Sequence, residues 1–399
     1  MFSQRTRWSL QPNRLTERLT MRRRMGRPIL DLTESNPTRC RIALPTEETL
    51  EALRAPENLI YEPSPKGLLA AREAVAAFYA EKGVSIHPEQ IVLTASTSEA
   101  YSFLFRLLTD PGDAILVPRP SYPLFEFLAA LNDLQLSPYP LRYEPGWRID
   151  VAALGQAITP RTRALIVVNP NNPTGSFIHD DERAALVELC RRHQLALISD
   201  EVFAEYAFAL QPDSVLSLAG TRDALTFVLG GISKLLGLPQ MKLAWIIASG
   251  PEDTVNEALQ RLEVIADTYL SVNTPVQRAL PRWLKRRDRW TRPILDRVRA
   301  NWHYLVEQAR PPHACQCLEA EGGWYGVLRI PRTRSEEEWV LELLEKDDVL
   351  VHPGYFFDFQ TEAYLVVSLL PPPEIFREGI ERIGRQCADS GRSEDARSV

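Results

Sequence analysis

Short apolar segments alternate with amphipathic segments through the first 250 residues. Because these segments are apolar on both faces, they are typical of parallel strands covered by helices on both sides. Helical periodicity lies between them, for example at Leu68–Ala80, Ser98–Leu108 and Asp180–His193. This alternation predicts an α/β fold with a mostly parallel, doubly wound sheet, which binds ligands beyond the carboxyl ends of its strands. The predicted strands are Gln90–Thr94, Ala114–Val117, Ala164–Val168, Leu195–Ser199, Thr226–Leu229 and Leu243–Ala248.

The pattern changes after residue 250. A long helical region, Asp253–Gln308, is followed by two strand-like segments, Trp324–Ile330 and Tyr364–Leu369, with helical patterns at Ser335–Leu344 and Pro373–Ile383. We therefore predict a small α+β domain, formed by the C-terminal part and the N-terminal arm. The predicted boundaries are an arm at 1–45, a large domain at 46–280, a linking helix with the small domain at 281–387, and a disordered tail at 388–399.

Composition narrows the possible functions. A chain of 399 residues suits two domains, and a net charge of −6 argues against nucleic acid as the main partner. No apolar run approaches the roughly 20 residues that a membrane span needs, so we expect no membrane partner. The five cysteines are sparse and odd in number, and Cys315 with Cys317 lacks a second pair. We expect a reduced, cytoplasmic protein without a disulfide framework or a metal site.

The first 27 residues are rich in arginine and hold one acidic residue, Glu17. Such a composition occurs in transit peptides, but it also fits a solvated helix that begins after the capping residue Asn13. We favour the helix, because the segment runs directly into a strand-like sequence at Ile29–Leu32 and has no small-residue cleavage site.

Lys234 is the first candidate for chemistry, since it follows a predicted strand in the sequence Gly230-Gly231-Ile232-Ser233-Lys234. A charged amine is costly to bury, so a lysine in such a loop can become neutral and attack an aldehyde. Most lysines lie on the surface, however, so Lys234 alone would be a weak signal.

Two further residues strengthen this interpretation. Asp200 follows the strand Leu195–Ser199, where a carboxylate can keep a pyridine nitrogen protonated and make the ring an electron sink, or can cap a helix. Asn172 lies in the sequence Asn169-Pro-Asn-Asn-Pro-Thr-Gly175. Its two prolines and its glycine either fix the Asn172 amide towards one atom or form an ordinary turn.

The three motifs together resemble those of the fold-type I, class I/II aminotransferases, the aspartate aminotransferase-like family. They are the loop 169–175, the segment 199–203 with Asp200, and Ser233-Lys234-Leu235-Leu236-Gly237-Leu238-Pro239. The resemblance covers residues 30–385. It implies pyridoxal 5′-phosphate (PLP) bound as a Schiff base to Lys234, and transfer of an amino group between an amino acid and a keto acid. It also implies a homodimer with shared active sites.

The resemblance further implies a role for individual residues. Lys234, Asp200 and Tyr122 are the expected catalytic residues, and Asn172 is expected to bind the phenolic oxygen of PLP. Tyr122 would stack on the ring, and Tyr61 would reach the phosphate in the neighbouring subunit. The start of a predicted helix favours a phosphate, and the residues there are Ser96, Thr97 and Ser98. Lys242 and Phe203 complete the cofactor contacts, and the substrate contacts would be Ser35, Asn36, Asn172, Arg39 and Arg41.

Four positions depart from the family pattern. Lys242 stands where the family usually has a phosphate-binding arginine, Gly231 replaces a serine, and Phe203 replaces a tyrosine. Val366 stands where an arginine usually binds the substrate carboxylate, and no arginine occurs between Arg334 and Arg377. A PLP-dependent lyase, decarboxylase or oxidase is therefore the alternative function. For substrate binding, either another cation replaces the missing arginine or the substrate lacks a carboxylate at that place. Arg39 and Arg41 are the candidates for such a cation, although both can equally be solvated surface residues. A DNA-binding regulator is disfavoured, because too few residues precede the first strand to form a DNA-binding domain.

Overall fold

A computed structural model describes residues 1–309 and 315–395. Its helices are α1 (Arg14–Arg24), α2 (Thr46–Glu51), α3 (Leu69–Ala80), α4 (Thr97–Leu108), α5 (Leu124–Leu131), α6 (Val151–Ala157), α7 (Asp180–His193), α8 (Ile232–Leu235), α9 (Glu252–Tyr269), α10 (Thr274–Lys285), α11 (Asp288–Gln308), α12 (Glu336–Lys346) and α13 (Pro373–Asp395).

The strands are β1 (Leu30–Asp31), β2 (Ile91–Thr94), β3 (Ala114–Arg119), β4 (Gln135–Tyr143), β5 (Trp147–Ile149), β6 (Thr162–Val168), β7 (Ile178–His179), β8 (Ala196–Asp200), β9 (Ser214–Val215), β10 (Thr226–Gly231), β11 (Ala244–Ser249), β12 (Gln316–Cys317), β13 (Tyr325–Arg329), β14 (Val349–Leu350), β15 (His352–Pro353) and β16 (Tyr364–Ser368).

Eight strands form the central sheet, in the order β2-β11-β10-β8-β6-β3-β4-β5. The strands from β10 to β4 in this order run parallel, whereas β11, β2 and β5 pair antiparallel with their neighbours. All six predicted strands lie in this sheet. The structure therefore has the mostly parallel architecture that the sequence predicts.

Helices cover both faces of the sheet, because successive residues of the central strands point into different cores. In β6, Leu165 and Val167 belong to one hydrophobic cluster, whereas Ala164 and Ile166 belong to another. Both clusters are fully buried, which explains why the strand sequences are apolar on both faces. This arrangement leaves the carboxyl edge of the parallel strands as the place where polar side chains meet.

The C-terminal part forms a smaller antiparallel sheet in the order β12-β13-β16-β15, with its own hydrophobic cluster. The N-terminal arm packs against this part, since β1 pairs with β14 and three arginines of α1 form ion pairs near α12. These pairs are Arg14–Glu337, Arg18–Glu345 and Arg22–Asp348. The expected helix after Asn13 is present, and Asn13 accepts a hydrogen bond from the Thr16 amide at 2.8 Å. The exact domain boundaries stay predictions.

The predicted disordered tail is wrong for residues 388–395, because α13 continues to Asp395. A polar segment can remain helical when it continues a helix that is packed against the protein. Here the side chain of Cys387, directly before residue 388, is buried. Residues 396–399 lie outside the described part of the chain.

Two strands of the central sheet, β4 and β5, were not predicted. Strand β4 contains Pro138 and Pro140, and proline lacks the amide donor that a central strand needs. In the small domain β12, β14 and β15 are too short to show a period in the sequence. Among residues 1–309 and 315–395, the structure contains no helix that is long and apolar enough to cross a membrane.

Candidate active site

The residues predicted to carry the chemistry meet in one cavity of about 360 Å³. It opens at the carboxyl ends of β6, β8 and β10, which are neighbours in the sheet. Val168 and Leu229 are both register partners of Asp200, so the loops after these strands are brought together. The predicted residues that line the cavity are Ser35, Ser96, Thr97, Ser98, Tyr122, Asn172, Asp200, Phe203, Lys234 and Lys242.

The loop after β6 is held rigidly by its own asparagines. Asn169 donates from its side chain to the Val215 carbonyl at 2.7 Å and accepts from the Ile178 amide at 2.9 Å. Asn171 donates to the Pro120 carbonyl at 3.1 Å, which ties this loop to the segment before Tyr122. Asn172 is therefore free to face the cavity: it is buried, and its Oδ1 atom has no hydrogen-bond partner in the described structure.

Asp200 ends β8 at the base of the cavity. Its carboxylate accepts hydrogen bonds from the Tyr101 hydroxyl at 3.0 Å and from the Val202 amide at 3.2 Å. Burial raises the pKa of Asp200 to about 6, although both hydrogen bonds and the nearby Lys234 favour the charged form. A half-buried carboxylate of this kind is poised to pair with a cationic ring nitrogen.

Lys234 follows β10 in the short helix α8, and its amine lies in the same cavity as Asp200. Burial lowers the pKa of Lys234, and the negative charge of Asp200 opposes this effect. The backbone of Lys234 is fixed, because the Tyr206 hydroxyl donates to the carbonyls of Lys234 and Leu235 at 2.7 and 3.0 Å. A desolvated and fixed amine suits attack on an aldehyde.

One end of the cavity suits a phosphate. The N-terminus of the twelve-residue helix α4 points its first amides at this end, and Ser96 caps it by accepting from the Glu99 amide at 3.1 Å. Ser233 and Lys242 line the same cavity. Gly231 cannot become a serine without local movement, because an added Cβ would lie 2.9 Å from the Cβ of Ala244 in the neighbouring strand.

Tyr122 and Phe203 lie where the sequence predicted them, at the wall of the cavity. Tyr122 is 45% exposed, so one side of its ring remains accessible. Phe203 is buried and has no hydroxyl to donate to a cofactor oxygen.

The predicted substrate residues are only partly brought together. Ser35 lines the cavity together with Tyr325. Asn36 does not line it, and its side chain accepts from Thr38 instead.

Arg39 and Arg41 also lie outside the cavity lining. Both side chains are 75% exposed and approach Glu34 and Glu374, respectively. Their prediction as substrate contacts is therefore not supported, because the turn at residues 37–41 directs them to solvent.

Two other predicted positions lie away from the cavity. Tyr61 is 76% exposed and lines a separate cleft with Gln277, so it does not contact the cofactor cavity of its own chain. Val366 is fully buried between β13 and β15 and does not line the cavity. Within the described residues the cations of the cavity lining are Lys234 and Lys242, and none of the lining residues is an arginine.

Tyr101, Tyr325 and Trp324 are among the aromatic residues of the site that were not predicted from the sequence. Tyr101 contacts Asp200, Tyr325 lines the cavity, and the Trp324 ring lies 5.1 Å from Lys234 Nζ. Tyr101 belongs to the apolar face of α4, and the other two belong to a strand-like segment, so the sequence pattern presents all three as ordinary core residues.

These residues fit PLP. Asn172 is a buried amide without a partner for its oxygen, whereas Asp200 is a half-buried carboxylate and Lys234 a half-buried amine that line the cavity. The hydroxyls of Ser96, Thr97, Ser98 and Ser233, the amine of Lys242 and the first amides of α4 belong to the same cavity and suit a phosphate. The cavity thus offers a partner for each polar group of the cofactor.

Comparison with known proteins gives the same family as the motifs. Residues 27–383 match the family described as aminotransferase class I and II. The chain is 26% identical to the glutamate-pyruvate aminotransferase AlaA of Haemophilus influenzae, over 91% of this chain and 92% of that protein. It is 29% identical to the alanine aminotransferase of Mycobacterium bovis, over 90% and 85%.

Solved structures show the same fold. The alanine aminotransferase of Pyrococcus furiosus superposes with a TM-score of 0.87 at 25% identity, covering 98% of this chain and all of that one. A mutant aspartate aminotransferase of Thermus thermophilus shares the fold, with a TM-score of 0.84 at 24% identity and coverage of 96% and 99%.

These findings confirm the predicted family, the fold-type I α/β fold, the PLP cofactor and the aminotransferase activity. The chain belongs to the class I and II aminotransferases and is a PLP-dependent enzyme of that family.

Proposed function

We propose that the enzyme holds PLP on Lys234 and transfers an amino group between an amino acid and a keto acid. The observation that supports this most directly is that Lys234, Asp200 and Asn172, from the ends of three neighbouring strands, line one cavity. The comparisons contain aminotransferases for alanine and for glutamate with pyruvate, which supports amino-group transfer over the lyase, decarboxylase and oxidase alternatives.

Each residue has a defined task in this proposal. PLP, when bound, supplies an electron-withdrawing ring that stabilises negative charge on the substrate carbon. Asp200 binds the ring nitrogen and keeps its proton in place, and Tyr101 orients Asp200 from behind. Asn172 orients the cofactor through its phenolic oxygen. Lys234 first holds the cofactor and then, as a free amine, moves a proton at the α-carbon of the substrate.

We also propose how the substrate is held. Because none of the described lining residues is an arginine, neutral donors must contact the substrate next to the cofactor, and Ser35, Tyr325 and Asn172 are in place to do so. A bidentate arginine–carboxylate pair is stronger than such contacts. We therefore expect weak binding of alanine and glutamate, with half-saturation at high concentrations.

A homodimer and a cytoplasmic location complete the proposal. The segment Leu59-Ile60-Tyr61 is exposed, with Leu59 at 93% and Tyr61 at 76%, and an apolar loop of this kind is suited to contact a second subunit. Sedimentation of the loaded enzyme tests the dimer, and a fully active monomer would refute it.

The activity is tested by single turnover. PLP-loaded enzyme is mixed with alanine, glutamate, aspartate or a simple primary amine, without acceptor. We expect one equivalent of keto product per site and a matching change in the cofactor spectrum. Release of carbon dioxide, or of ammonia during continuous turnover without an acceptor, would instead identify one of the alternative chemistries. The variant Lys234→Ala is the control and should give no product.

A further inference from the structure

Three aromatic side chains lie close to Lys234, two of them near its amine and one at its backbone. The Lys234 Nζ atom lies 5.1 Å from the centroid of the Trp324 ring and 5.7 Å from that of Phe203. Both distances are within the range of about 6 Å over which the face of an aromatic ring attracts a cation. The two rings are themselves packed edge to face, with centroids 5.3 Å apart.

Tyr206 joins this cluster to the backbone of Lys234. Its ring lies 5.0 Å from that of Trp324, and its hydroxyl donates to the carbonyls of Lys234 and Leu235. Trp324, Tyr206 and Phe203 are all buried, so water does not screen the attraction between the rings and the amine.

Trp324 is placed by a tight backbone junction. The amides of Glu321 and Gly322 both donate to the Gly175 carbonyl at 3.0 Å, and the Gly323 amide donates to the Tyr206 carbonyl at 3.0 Å. An added Cβ at Gly175 would lie 2.4 Å from the Gly322 carbonyl oxygen, so the two chains meet backbone to backbone. The junction therefore links the loop of Asn172 to the tryptophan that faces Lys234.

We propose that Phe203, Tyr206 and Trp324 form an aromatic clamp, in which Trp324 is the positioning residue for the amine of Lys234. The clamp acts whenever Lys234 is not joined to the cofactor. Tyr206 then fixes the lysine backbone, while the ring faces of Trp324 and Phe203 hold the protonated amine near the cavity. The proposal rests on the role of Lys234 given above, but it concerns a contact that exists in the protein without PLP.

Three effects therefore act on the free amine. Burial lowers the pKa of Lys234, and the negative charge of Asp200 raises it. The ring faces also favour the ammonium form and so raise this pKa. Replacing Trp324 by leucine removes a ring face and leaves an apolar side chain. The pKa of Lys234 should then fall, by roughly half to one pH unit for a cation–π contact of about 1 kcal/mol.

The pKa is measured on the apoprotein by competitive acetylation across a pH series, with the peptide that contains Lys234 quantified by mass spectrometry. Trp324→Phe keeps a ring and should recover most of the wild-type value. Trp302→Leu is the matched control, because Trp302 is equally a buried tryptophan, packed on Phe208, but is not among the rings facing Lys234. This variant should leave the Lys234 value unchanged.

Fluorinated tryptophan changes the electron density at the ring face but hardly changes the size of the ring. This experiment therefore tests the proposal even if Trp324→Leu fails to fold. Fluorine withdraws charge from the ring face, so stepwise fluorination of the tryptophans should lower the Lys234 pKa progressively in the wild-type chain. In Trp324→Phe it should have no effect.

An unchanged or raised pKa in Trp324→Leu, or no response of the wild-type chain to fluorination, would overturn the clamp. Such a result would leave the proposed function intact if PLP still attaches to Lys234. Attachment of PLP to another lysine would instead remove the proposed function.

Discussion

The hydroxyl of Tyr101 is predicted to set the ionisation of Asp200, and its removal is a sharp test of the site. Tyr101→Phe deletes one of the two hydrogen bonds to the half-buried Asp200 carboxylate, at 3.0 Å, and leaves the aromatic packing in place. A hydrogen bond to a charged group is worth about 1.5–3 kcal/mol, and one pKa unit corresponds to about 1.4 kcal/mol. The pKa of Asp200, about 6 in the wild-type apoprotein, should therefore rise by about one to two units.

The consequence is an activity loss that depends on pH. With a higher pKa, Asp200 is protonated over a wider range at the acid side, and a neutral carboxyl no longer favours a charged ring nitrogen. The acid limb of the single-turnover rate should move to higher pH by about the same one to two units, with most of the rate recovered in alkaline buffer.

The assay is the pH profile of the single-turnover rate, in wild type and variant. Tyr139→Phe is the control, since Tyr139 is also buried but its hydroxyl donates to the Ile166 carbonyl. Tyr139→Phe should lower the free energy of unfolding without shifting the acid limb of the pH profile. An acid limb that stays in place in Tyr101→Phe, or that moves to lower pH, would refute the reasoning.

Three further sets of substitutions test the charge at Asp200, the exposed arginines and the contact of Gly231 with Ala244. Asp200→Asn should stabilise the apoprotein at pH 8 by about 3 kcal/mol. A carboxyl whose folded pKa is raised from 3.8 to about 6 costs stability as pH rises through this window, so the gain should vanish near pH 4 in thermal unfolding. Arg39→Ala and Arg41→Ala should leave the half-saturation concentration unchanged, because both side chains are exposed; a steep increase would show that one of them binds the substrate carboxylate. Gly231→Ser should weaken PLP binding through its collision with Ala244, and Ala244→Gly should restore part of it in an equilibrium titration, whereas tighter binding in the single variant would contradict the geometry.

The sequence predicted the parts of the fold that depend on strong periodicity. The six central strands are continuous apolar runs, and each of them is present. Strand β4 was not predicted because it contains Pro138 and Pro140, which are unusual in a central strand. Strands β14 and β15 were not predicted because two residues are too few to show an alternation of apolar and polar positions. The long helical region after residue 250 divides into α9, α10 and α11, since Leu270 adopts a left-handed conformation at the end of α9 and Asn273 caps α10.

The site residues could be predicted from the sequence where a polar residue stands at a position that is unusual for it. Lys234, Asp200 and Asn172 are polar residues that follow apolar strands, and the structure brings all three to one cavity. Tyr101 and Trp324 were not predictable, because an aromatic residue in an apolar pattern is first of all a core residue. Their contact with Asp200 and Lys234 depends on packing between segments far apart in the chain. Arg39 and Arg41 are close to Ser35 in sequence, but the turn at residues 37–41 directs both side chains to solvent, and a turn of this kind cannot be foreseen from spacing alone.

The most direct test of the central claim is to locate the covalent attachment of PLP. The loaded enzyme is reduced with borohydride and digested, and the labelled peptide is sequenced by mass spectrometry. We expect a single label, on Lys234, and none after Lys234→Ala. A label on Lys242, the other lysine of the cavity, or an unreduced cofactor that washes away, would contradict it.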